Sequence, residues 1–345
     1  MKNEAADYIS DKHLYHEHYI RAALEGAFSQ TYQPLEIIIS DDCSEDETFN
    51  IIQRQARLYR GNHQIRTYRN PCNLGLARHL NHILKKAKGE LILFAAGDDI
   101  SYPDRTAKTY EAWLSSGKKT LAIFTQARVI DHYGRRHGLF IPEVTSKMLT
   151  AEWMIKHYPV AHGFGLAISR QLIELFGPLP EDISREDVVI PIRAAILEPL
   201  LYLEKPLVYY RRHSQNLSKV PGVDIVGKNE LFNYIKRHSK GHIAICRSWI
   251  RDLTVAERLF PTKREKFEIL RRYAREKLHY VVIEDRLLEA TPIQRFKILV
   301  GEYLCKTNRK KLLEWVLIFH IPTLYLSYKK YRRCGLVKYL GLRLK

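Results

Sequence analysis

Hydrophobic residues in the first two thirds of the chain fall into short, nearly unbroken runs. Runs of four to eight apolar residues without regular polar alternation predict strands that are buried on both faces of a sheet. The runs are LEIIIS (35–40), ELILFAA (90–96), TLAIFTQARVI (120–130), LLYLE (200–204) and LVYYR (207–211).

Stretches with helical spacing separate these runs. They cover residues 17–30, 45–60 and 75–88, and a further segment from Pro103 to about residue 115. Strands that alternate with helices in this way predict an α/β fold, with a mostly parallel sheet flanked by helices. The loop HYGRRHG after residue 130 predicts a hairpin at one strand.

The pattern changes after residue 221. Strand-like runs become rare and long helical stretches follow, over 228–250, 261–280 and 292–306. Residues 224–345 contain 28 Lys and Arg against 12 Asp and Glu, whereas residues 1–223 contain 28 against 26. We therefore predict an α/β domain over residues 1–221 and a basic α-helical region over residues 222–345.

Several classes of protein are excluded by what the sequence lacks. The five Cys residues are scattered and form no CxxC pair, which argues for a reducing compartment and against a disulfide framework or a Cys-based zinc site. No run of 18 apolar residues predicts a membrane-spanning helix. The P-loop, GxGxxG, HExxH and GxSxG motifs are also missing.

Two predicted strands end in paired carboxylates, Asp41–Asp42 and Asp98–Asp99. Ligands of parallel α/β sheets bind at the carboxyl ends of the strands. Carboxylates at that edge can hold a divalent cation or accept hydrogen bonds from ribose hydroxyls or a base N–H. The alternative is that these Asp residues only form turns and helix caps.

Three segments resemble family 2 glycosyltransferases. They are YIRAALEGAFSQTYQPLEIIISDDCSEDETFNII (19–52), NLGLARHLNHILKKAKGELILFAAGDDISYPDR (73–105), and REDVVIPIRAA with LEKPLVYYRRHSQNLS (185–218). The resemblance covers residues 14–218 and is nearest to bacterial enzymes that build surface polysaccharides. It implies the GT-A fold and an inverting transfer of a sugar from a nucleotide-sugar donor.

The resemblance also implies roles for single residues. Asp42 would contact the nucleotide, with Asp41 as a secondary contact, and Asp98 would contact the ribose or sugar. Asp99 would bind a divalent cation, Mn²⁺ or Mg²⁺, and Asp187 would be the catalytic base.

Further candidate residues carry open alternatives. Asn73 and Asn81 match the family's nucleotide-binding segment, although Asn73 is equally a loop residue. His213 would be an additional metal ligand or simply a surface His after a strand. Glu186, beside Asp187, could serve as the base instead, and Asp187 also fits a helix-capping position.

The sequence departs from the family at its amino terminus. The family opens with an apolar central strand, whereas MKNEAADYISDKHLYH (1–16) has no run of four apolar residues. We therefore expect the first strand to be lacking or divergent. Three explanations are open: a chain that starts inside a longer gene, a divergent strand that still forms, or a natural loss that abolishes nucleotide binding.

The basic carboxyl-terminal region contains KKLLEWVLIFHIPTLYLSYKKYRR (310–333), in which basic clusters flank an apolar middle. Trp315, Tyr325, Tyr328 and Tyr331 suit an interfacial helix on an anionic membrane surface. The alternative is a helical subdomain that packs its apolar face internally. No motif or stacking pattern supports a nucleic-acid partner.

These observations predict a metal-dependent, inverting glycosyltransferase in cell-surface polysaccharide biosynthesis. Its partners would be a nucleotide-sugar donor, with UDP as the expected nucleotide, and a glycan or lipid-linked acceptor. It would lie in the cytoplasm, peripherally on the inner face of the cell membrane. The alternative function is a non-catalytic or truncated protein of the same fold that binds or scaffolds.

Overall fold

The computed structural model describes the backbone of residues 5–11, and residues 16–140, 144–158, 161–213, 216, 225, 227–305, 308–320, 322, 325, 326 and 329. Within these residues the protein is a mixed α/β fold with a helical carboxyl-terminal region, as predicted. The strands are β1 (Ala5–Asp11), β2 (Leu35–Asp41), β3 (Gln64–Arg69), β4 (Leu91–Ala96), β5 (Ile100–Ser101), β6 (Ala122–Ile130), β7 (Arg136–Phe140), β8 (Ala167–Ser169) and β9 (Leu201–Arg211).

Helices follow most of the strands in the first two thirds and make up nearly all of the last third. They are α1 (Ile20–Phe28), α2 (Thr48–Leu58), α3 (Leu76–Leu84), α4 (Arg105–Ser115), α5 (Ala151–His157), α6 (Arg170–Phe176), α7 (Glu186–Leu197), α8 (Lys228–Leu259), α9 (Arg264–Glu289), α10 (Pro292–Leu304) and α11 (Arg309–His320).

One sheet contains all of these strands, in the order β3-β2-β1-β4-β8-β6-β9-β5, and β7 pairs with β6 as the predicted hairpin. Strands β1 to β4 run parallel to one another, and β9 runs parallel to β6. Because β8 is antiparallel to both β4 and β6, these two strands share one direction. The carboxyl ends of β1, β2, β3, β4, β6 and β9 therefore meet at one side of the sheet, which we call the carboxyl edge.

The expectation that the first strand is lacking is wrong. Strand β1 lies between β2 and β4 and pairs in parallel with both, from Ala5 opposite Leu35 and Leu91 onward. A strand in this position satisfies the main-chain donors and acceptors of both neighbours, a requirement that does not depend on an apolar side-chain run. The first strand is therefore present although its sequence is divergent, and the scaffolding alternative loses the observation on which it rested.

Strand β9 joins the two predicted runs at 200–204 and 207–211 into one strand. Its pairing with β6 shifts register where Thr125 faces Leu203 and Gln126 faces Pro206. This irregularity accommodates the extra residues 204 and 205 as a bulge, so the polar EKP segment interrupts the register without ending the strand.

The main core lies between the sheet and helices α1, α2 and α4. Fully buried Ile and Leu side chains of β2 and β4 provide its centre, in agreement with the unbroken apolar runs. The buried members are Ile20, Leu24, Ala27, Leu35, Ile37, Ile39, Ile52, Leu91, Leu93, Tyr110, Trp113, Ile123 and Ala167.

The chain forms two compact units that do not follow the predicted boundary after residue 221. The first unit contains residues 1–213 and 245–275, and the second contains residues 214–244 and 276–345. Helices α8 and α9 each contribute residues to both units, because each is a long continuous helix of 32 and 26 residues, respectively. As a functional division, the boundary at residues 221 and 222 stays a prediction.

The second unit has its own apolar core, which contains part of the predicted interfacial segment. Trp315 is fully buried, and Tyr325 is 7% exposed, so these aromatic rings face the interior of the unit. They pack among Leu231, Ile235, Ile283, Leu287, Leu312, Ile318, Phe319 and Leu326. Helix α11 therefore packs part of its apolar surface inside the unit. Tyr328 and Tyr331 lie outside the described residues. No helix in the described part of the chain is long and apolar enough to cross a bilayer.

Candidate functional site

The carboxyl edge of the sheet brings together the ends of β4 and β9. Asp98 and Asp99 follow β4, and Arg211 ends β9, two residues before His213. The Nε2 atom of His213 lies 3.1 Å from Oδ2 of Asp98, and the Arg211 guanidinium donates to the Asp98 carbonyl oxygen at 2.9 Å. Two segments that are more than 100 residues apart in sequence thus form one polar cluster.

Asp98 is held in its charged form. Burial would raise the pKa of its carboxyl group, but the hydrogen bond with His213 and the nearby His16 and His213 side chains outweigh burial and lower the pKa. The side chain is 14% exposed. Asp98 therefore presents a carboxylate at the edge of the sheet.

Asp99 lies deeper in the same cluster. Its Oδ1 atom accepts a hydrogen bond of 2.8 Å from the main-chain N–H of Arg211, which ties β4 to β9. Burial and the adjacent Asp98 charge raise the pKa of Asp99 well above its usual range. A cation at this cluster would relieve the repulsion between the two carboxylates, since the negative charge is concentrated where water is scarce.

Tyr19, just before α1, is a member of this cluster that sequence reasoning missed. Its ring centroid lies 4.9 Å from that of His213, and the Arg211 guanidinium lies 4.8 Å from the centre of the Tyr19 ring. The chain contains 21 Tyr residues, and no sequence signal distinguishes this one from those that pack in the core. Only the position of α1 beside the carboxyl edge identifies it.

The pair Asp41–Asp42 has different surroundings. Asp41 is fully buried, accepts from the Ser44 N–H at 3.1 Å, and lies 3.2 Å from Nε of Arg69. Asp42 accepts hydrogen bonds from Asn70 Nδ2 and from the N–H groups of Leu74 and Gly75, at 2.7, 2.8 and 2.9 Å. Both carboxylates thus hold the loops that border the carboxyl edge.

Asn73 and Asn81 lie on the loop and helix that follow β3. Asn73 is exposed, and its Oδ1 accepts from the Gly75 N–H at 3.0 Å. Asn81 exchanges two hydrogen bonds with the main chain of Leu179, through Nδ2 at 2.7 Å and Oδ1 at 2.8 Å. The structure therefore gives Asn81 a tethering contact with the loop that leads to α7.

Asp187 lies in the first turn of α7. Arg185 binds its two carboxylate oxygens through Nε and a terminal nitrogen, at 3.1 and 3.2 Å. The side chain of Asp187 is 18% exposed. This two-point contact fixes the orientation of the carboxylate.

The start of α7 lies close to the carboxyl edge. Strand β8 is antiparallel to β4, and the Phe94 N–H donates to the Leu166 carbonyl, so the residues before β8 lie beside the end of β4. A Cβ added to Gly163 would lie 3.1 Å from Oε1 of Glu186 and 3.8 Å from Cβ of Asp187. Asp187 and Glu186 therefore lie at the same side of the sheet as Asp98 and Asp99.

The side chains of this cluster are of the types that bind a divalent cation together with a phosphate-bearing ligand. Carboxylate oxygens and an imidazole nitrogen suit Mn²⁺ or Mg²⁺, which in phosphate-transfer sites take one or two protein carboxylates together with ligand phosphates. The described residues contain no group of three or more His, Cys, Asp or Glu arranged to hold a metal ion by themselves. The donor set therefore fits a cation that arrives with a phosphate-bearing ligand.

The sequence of the first unit is similar to those of known proteins. Residues 13–176 match the sequence profile described as "Glycosyl transferase family 2". The protein EpsE of Bacillus subtilis, whose name assigns it to the glycosyltransferases, is 33% identical over 147 residues, which cover 43% of this chain and 50% of EpsE. The chondroitin synthase of Pasteurella multocida is 31% identical over 143 residues, which cover 41% of this chain and 14% of that protein. The matched region thus spans half or less of each of these two relatives.

A solved structure extends the similarity to the whole chain. The crystal structure of S. aureus TarS in complex with UDP-GlcNAc superposes with a TM-score of 0.52 at 15% identity and covers 100% of this chain and 93% of that chain. At this identity the superposition establishes the fold.

Proposed function

Since this chain belongs to glycosyltransferase family 2 through residues 13–176 and has the GT-A fold, we propose that it transfers a sugar from a nucleotide-sugar donor to an acceptor hydroxyl. The observation that carries this proposal is the cluster of Asp98, Asp99 and His213 at the carboxyl edge, with Asp187 on the same side. TarS is solved with UDP-GlcNAc, which supports a UDP-linked donor here.

The cation would be held by Asp98 and His213, with Asp99 behind them. The sequence pointed to Asp99 as the metal ligand, but its Oδ1 accepts from the Arg211 N–H, whereas Oδ2 of Asp98 and Nε2 of His213 lie within 3.1 Å of each other. When bound, a divalent cation would neutralise the negative charge that develops on the departing nucleoside diphosphate. Asp99 would then fix the end of β9, and with it His213.

Asp187 would act as the general base. It would take the proton of the acceptor hydroxyl as the acceptor oxygen forms a bond to the anomeric carbon and the bond from that carbon to the diphosphate oxygen breaks. Attack from the face opposite the leaving group inverts the configuration. Arg185 would keep the carboxylate in one orientation, and Glu186, close to Gly163, remains the alternative base.

The acceptor is proposed to be a glycan or a lipid-linked glycan of a cell-surface polysaccharide. The chondroitin synthase of Pasteurella multocida, a polymer synthase by its name, supports a glycan acceptor. Asp41, Asp42 and Asn73 would shape the nucleotide side of the site by fixing the loops after β2 and β3.

Calorimetric titration of UDP and GDP, with and without Mn²⁺, tests the proposal. We expect Mn²⁺-dependent binding of one nucleotide, loss of that dependence in Asp98→Asn, and retained Mn²⁺-dependent binding in Asp99→Asn, whose amide oxygen can still accept from the Arg211 N–H. Asp104→Asn, which removes a carboxylate on the first unit that pairs with Lys108, is the control. A folded wild-type protein that binds neither nucleotide would contradict the proposed function.

The assignment of the base needs a separate measurement. Asp187→Asn should bind the nucleotide and Mn²⁺ like the wild type but lose sugar transfer by at least about a hundredfold. If Glu186→Gln lost transfer while Asp187→Asn kept it, the base would be Glu186.

A further inference from the structure

Helix α10 leaves most of its large apolar side chains exposed, while Ile298 and Leu299 pack against the core of the second unit. Five large apolar residues occur at positions that differ by 3, 4, 3 and 1, so they share one face of the helix. They are strongly exposed, at Ile293 71%, Phe296 67%, Val300 40%, Tyr303 61% and Leu304 73%. We call these five residues the α10 stripe.

The opposite face of α10 attaches the helix to its own unit through polar contacts. Glu302 is buried and lies 2.9 Å from Nε2 of His279 on α9. The Arg295 guanidinium donates to the Leu287 carbonyl at 2.9 Å and packs against Phe319. These bonds, together with the packing of Ile298 and Leu299 against the core, fix the orientation of the helix, so the stripe faces outward.

The following helix adds to this exposed apolar surface. Helix α11 contacts α10, and its Leu313 and Val316 are 60% and 36% exposed, while its Trp315 is fully buried. A group of large, strongly exposed apolar side chains on a folded protein often marks an interaction site. Trp315 and Tyr325, two of the aromatic residues that suggested membrane contact, are buried in the core, whereas the stripe of α10 is exposed.

The charges around the stripe define its partner. Residues 291–313 contain six Lys and Arg and a single acidic residue, Glu302, whose side chain is buried against His279. Lys297 and Lys310 are exposed on α10 and α11. Glu289, at the end of α9, is the exposed acidic residue nearest in sequence to the stripe. Between it and Leu313 the described residues include no other exposed Asp or Glu.

We propose that the α10 stripe docks on an anionic lipid surface. The 13-residue helix, about 20 Å long, would lie in the plane of the interface with the stripe about 5–10 Å below the headgroups. Lys297 and Lys310 would reach the lipid phosphates, since long basic side chains extend towards charge while their aliphatic stems stay apolar. A second copy of the chain fits less well, because symmetric pairing of stripes would bring like charges together.

Vesicle flotation of the full chain tests this proposal. We expect the protein to float with vesicles that contain roughly one third phosphatidylglycerol, to float weakly with neutral phosphatidylcholine vesicles, and to dissociate at high salt. The triple variant Ile293→Ser, Phe296→Ser and Leu304→Ser should lower the bound fraction by at least about tenfold. Lys297→Glu with Lys310→Glu should remove the preference for anionic vesicles.

The matched control changes three exposed leucines of the first unit to serine, at Leu58, Leu114 and Leu259. It should float like the wild type, and circular dichroism should confirm that every variant is folded. A stripe variant that floats like the wild type, or a wild type that does not float with anionic vesicles, would overturn the proposal. A wild-type protein that is a dimer without lipid, and a stripe variant that is a monomer, would also overturn it, since the partner would then be a second copy.

Discussion

At the scale of single residues, Asp41 and Asp42 accept hydrogen bonds from main-chain amides and from Asn70, whereas Asp98 and Asp99 lie beside Arg211 and His213. Both pairs follow buried strands. The difference between them depends on which segments of the chain pack against each pair. The first pair stabilises loops, and the second is the pair at which we propose a cation binds.

Cys43 follows the first pair in a strained conformation. Its φ is +66°, in the left-handed region that costs a residue with a Cβ roughly 1–2 kcal/mol. The turn that places Asp42 requires the conformation that glycine adopts freely.

Replacing Cys43 with glycine should therefore stabilise the protein. We expect Cys43→Gly to raise the free energy of unfolding by about 0.5–1 kcal/mol, because relief of the left-handed strain exceeds the entropic cost of an added glycine. Urea denaturation measures this directly. Cys72→Gly, at an exposed position nearby, is the control, and equal effects of the two substitutions would show that conformational strain is not the cause.

At the scale of elements, helix α7 is held both by a contact in its second half and by contacts of the loop that precedes it. Arg193, fully buried, forms an ion pair with Asp252 of α8 at 2.9 Å within the first unit. The loop before α7 is tied by Asn81 to Leu179 and by Arg78 to Glu181. The first turn of α7, which contains Asp187, is thus positioned by contacts outside that turn.

The tether at Asn81 makes a testable prediction. Asn81→Ala leaves the N–H and C=O groups of Leu179 without their partner, so we expect a loss of about 1–3 kcal/mol in stability. Hydrogen–deuterium exchange should rise over residues 178–187. Asn50→Ala, which removes a surface bond to Glu47 on α2, should leave this exchange unchanged. Unaltered exchange in Asn81→Ala would show that the loop is held by other contacts.

At the scale of the whole molecule, the sheet could be predicted from sequence only where its strands carry their own signal. The runs at 35–40, 90–96 and 120–130 became β2, β4 and β6 because strands covered on both faces need continuous apolar side chains. Strand β1 carries no such run. It is identified only by its main-chain pairing with two neighbouring strands.

The candidate site was predictable in part for the same reason. Paired carboxylates after buried strands mark the carboxyl edge, but sequence cannot tell which pair will be covered by loop amides. Tyr19 and the tether at Asn81 depend on contacts across the fold. Apolar helical faces are equally ambiguous, because buried and exposed faces can carry the same types of side chain, as Trp315 of α11 and the α10 stripe illustrate.

Two buried histidines should make the folded protein less stable as the pH falls. Burial lowers the pKa of both His63 and His79 in the folded protein. Unfolded histidine has a pKa of about 6.5, so the unfolded chain takes up protons first as the pH falls. The contribution of these two histidines to the stability is therefore complete above about pH 6.5 and decreases below it, with a slope of up to about 1.4 kcal/mol per pH unit for each histidine.

We expect His63→Gln and His79→Asn, which keep a polar group near Gln30 and Asn70, to flatten this decrease between about pH 7 and pH 5. Chemical denaturation at a series of pH values measures it. His18→Gln, on the surface, should leave the slope unchanged. Should both buried variants retain the wild-type slope, other groups must set the acid limit.

The position of β1 also has a consequence for how the chain is assembled during synthesis. Residues 5–11 leave the ribosome before both of their partners, which follow at residues 35–41 and 91–96. The first strand must therefore wait for roughly ninety further residues before both of its edges are paired. Until then its neighbours remain open to mispairing, so the slowest step of folding should be the insertion of this amino-terminal strand into the centre of the sheet.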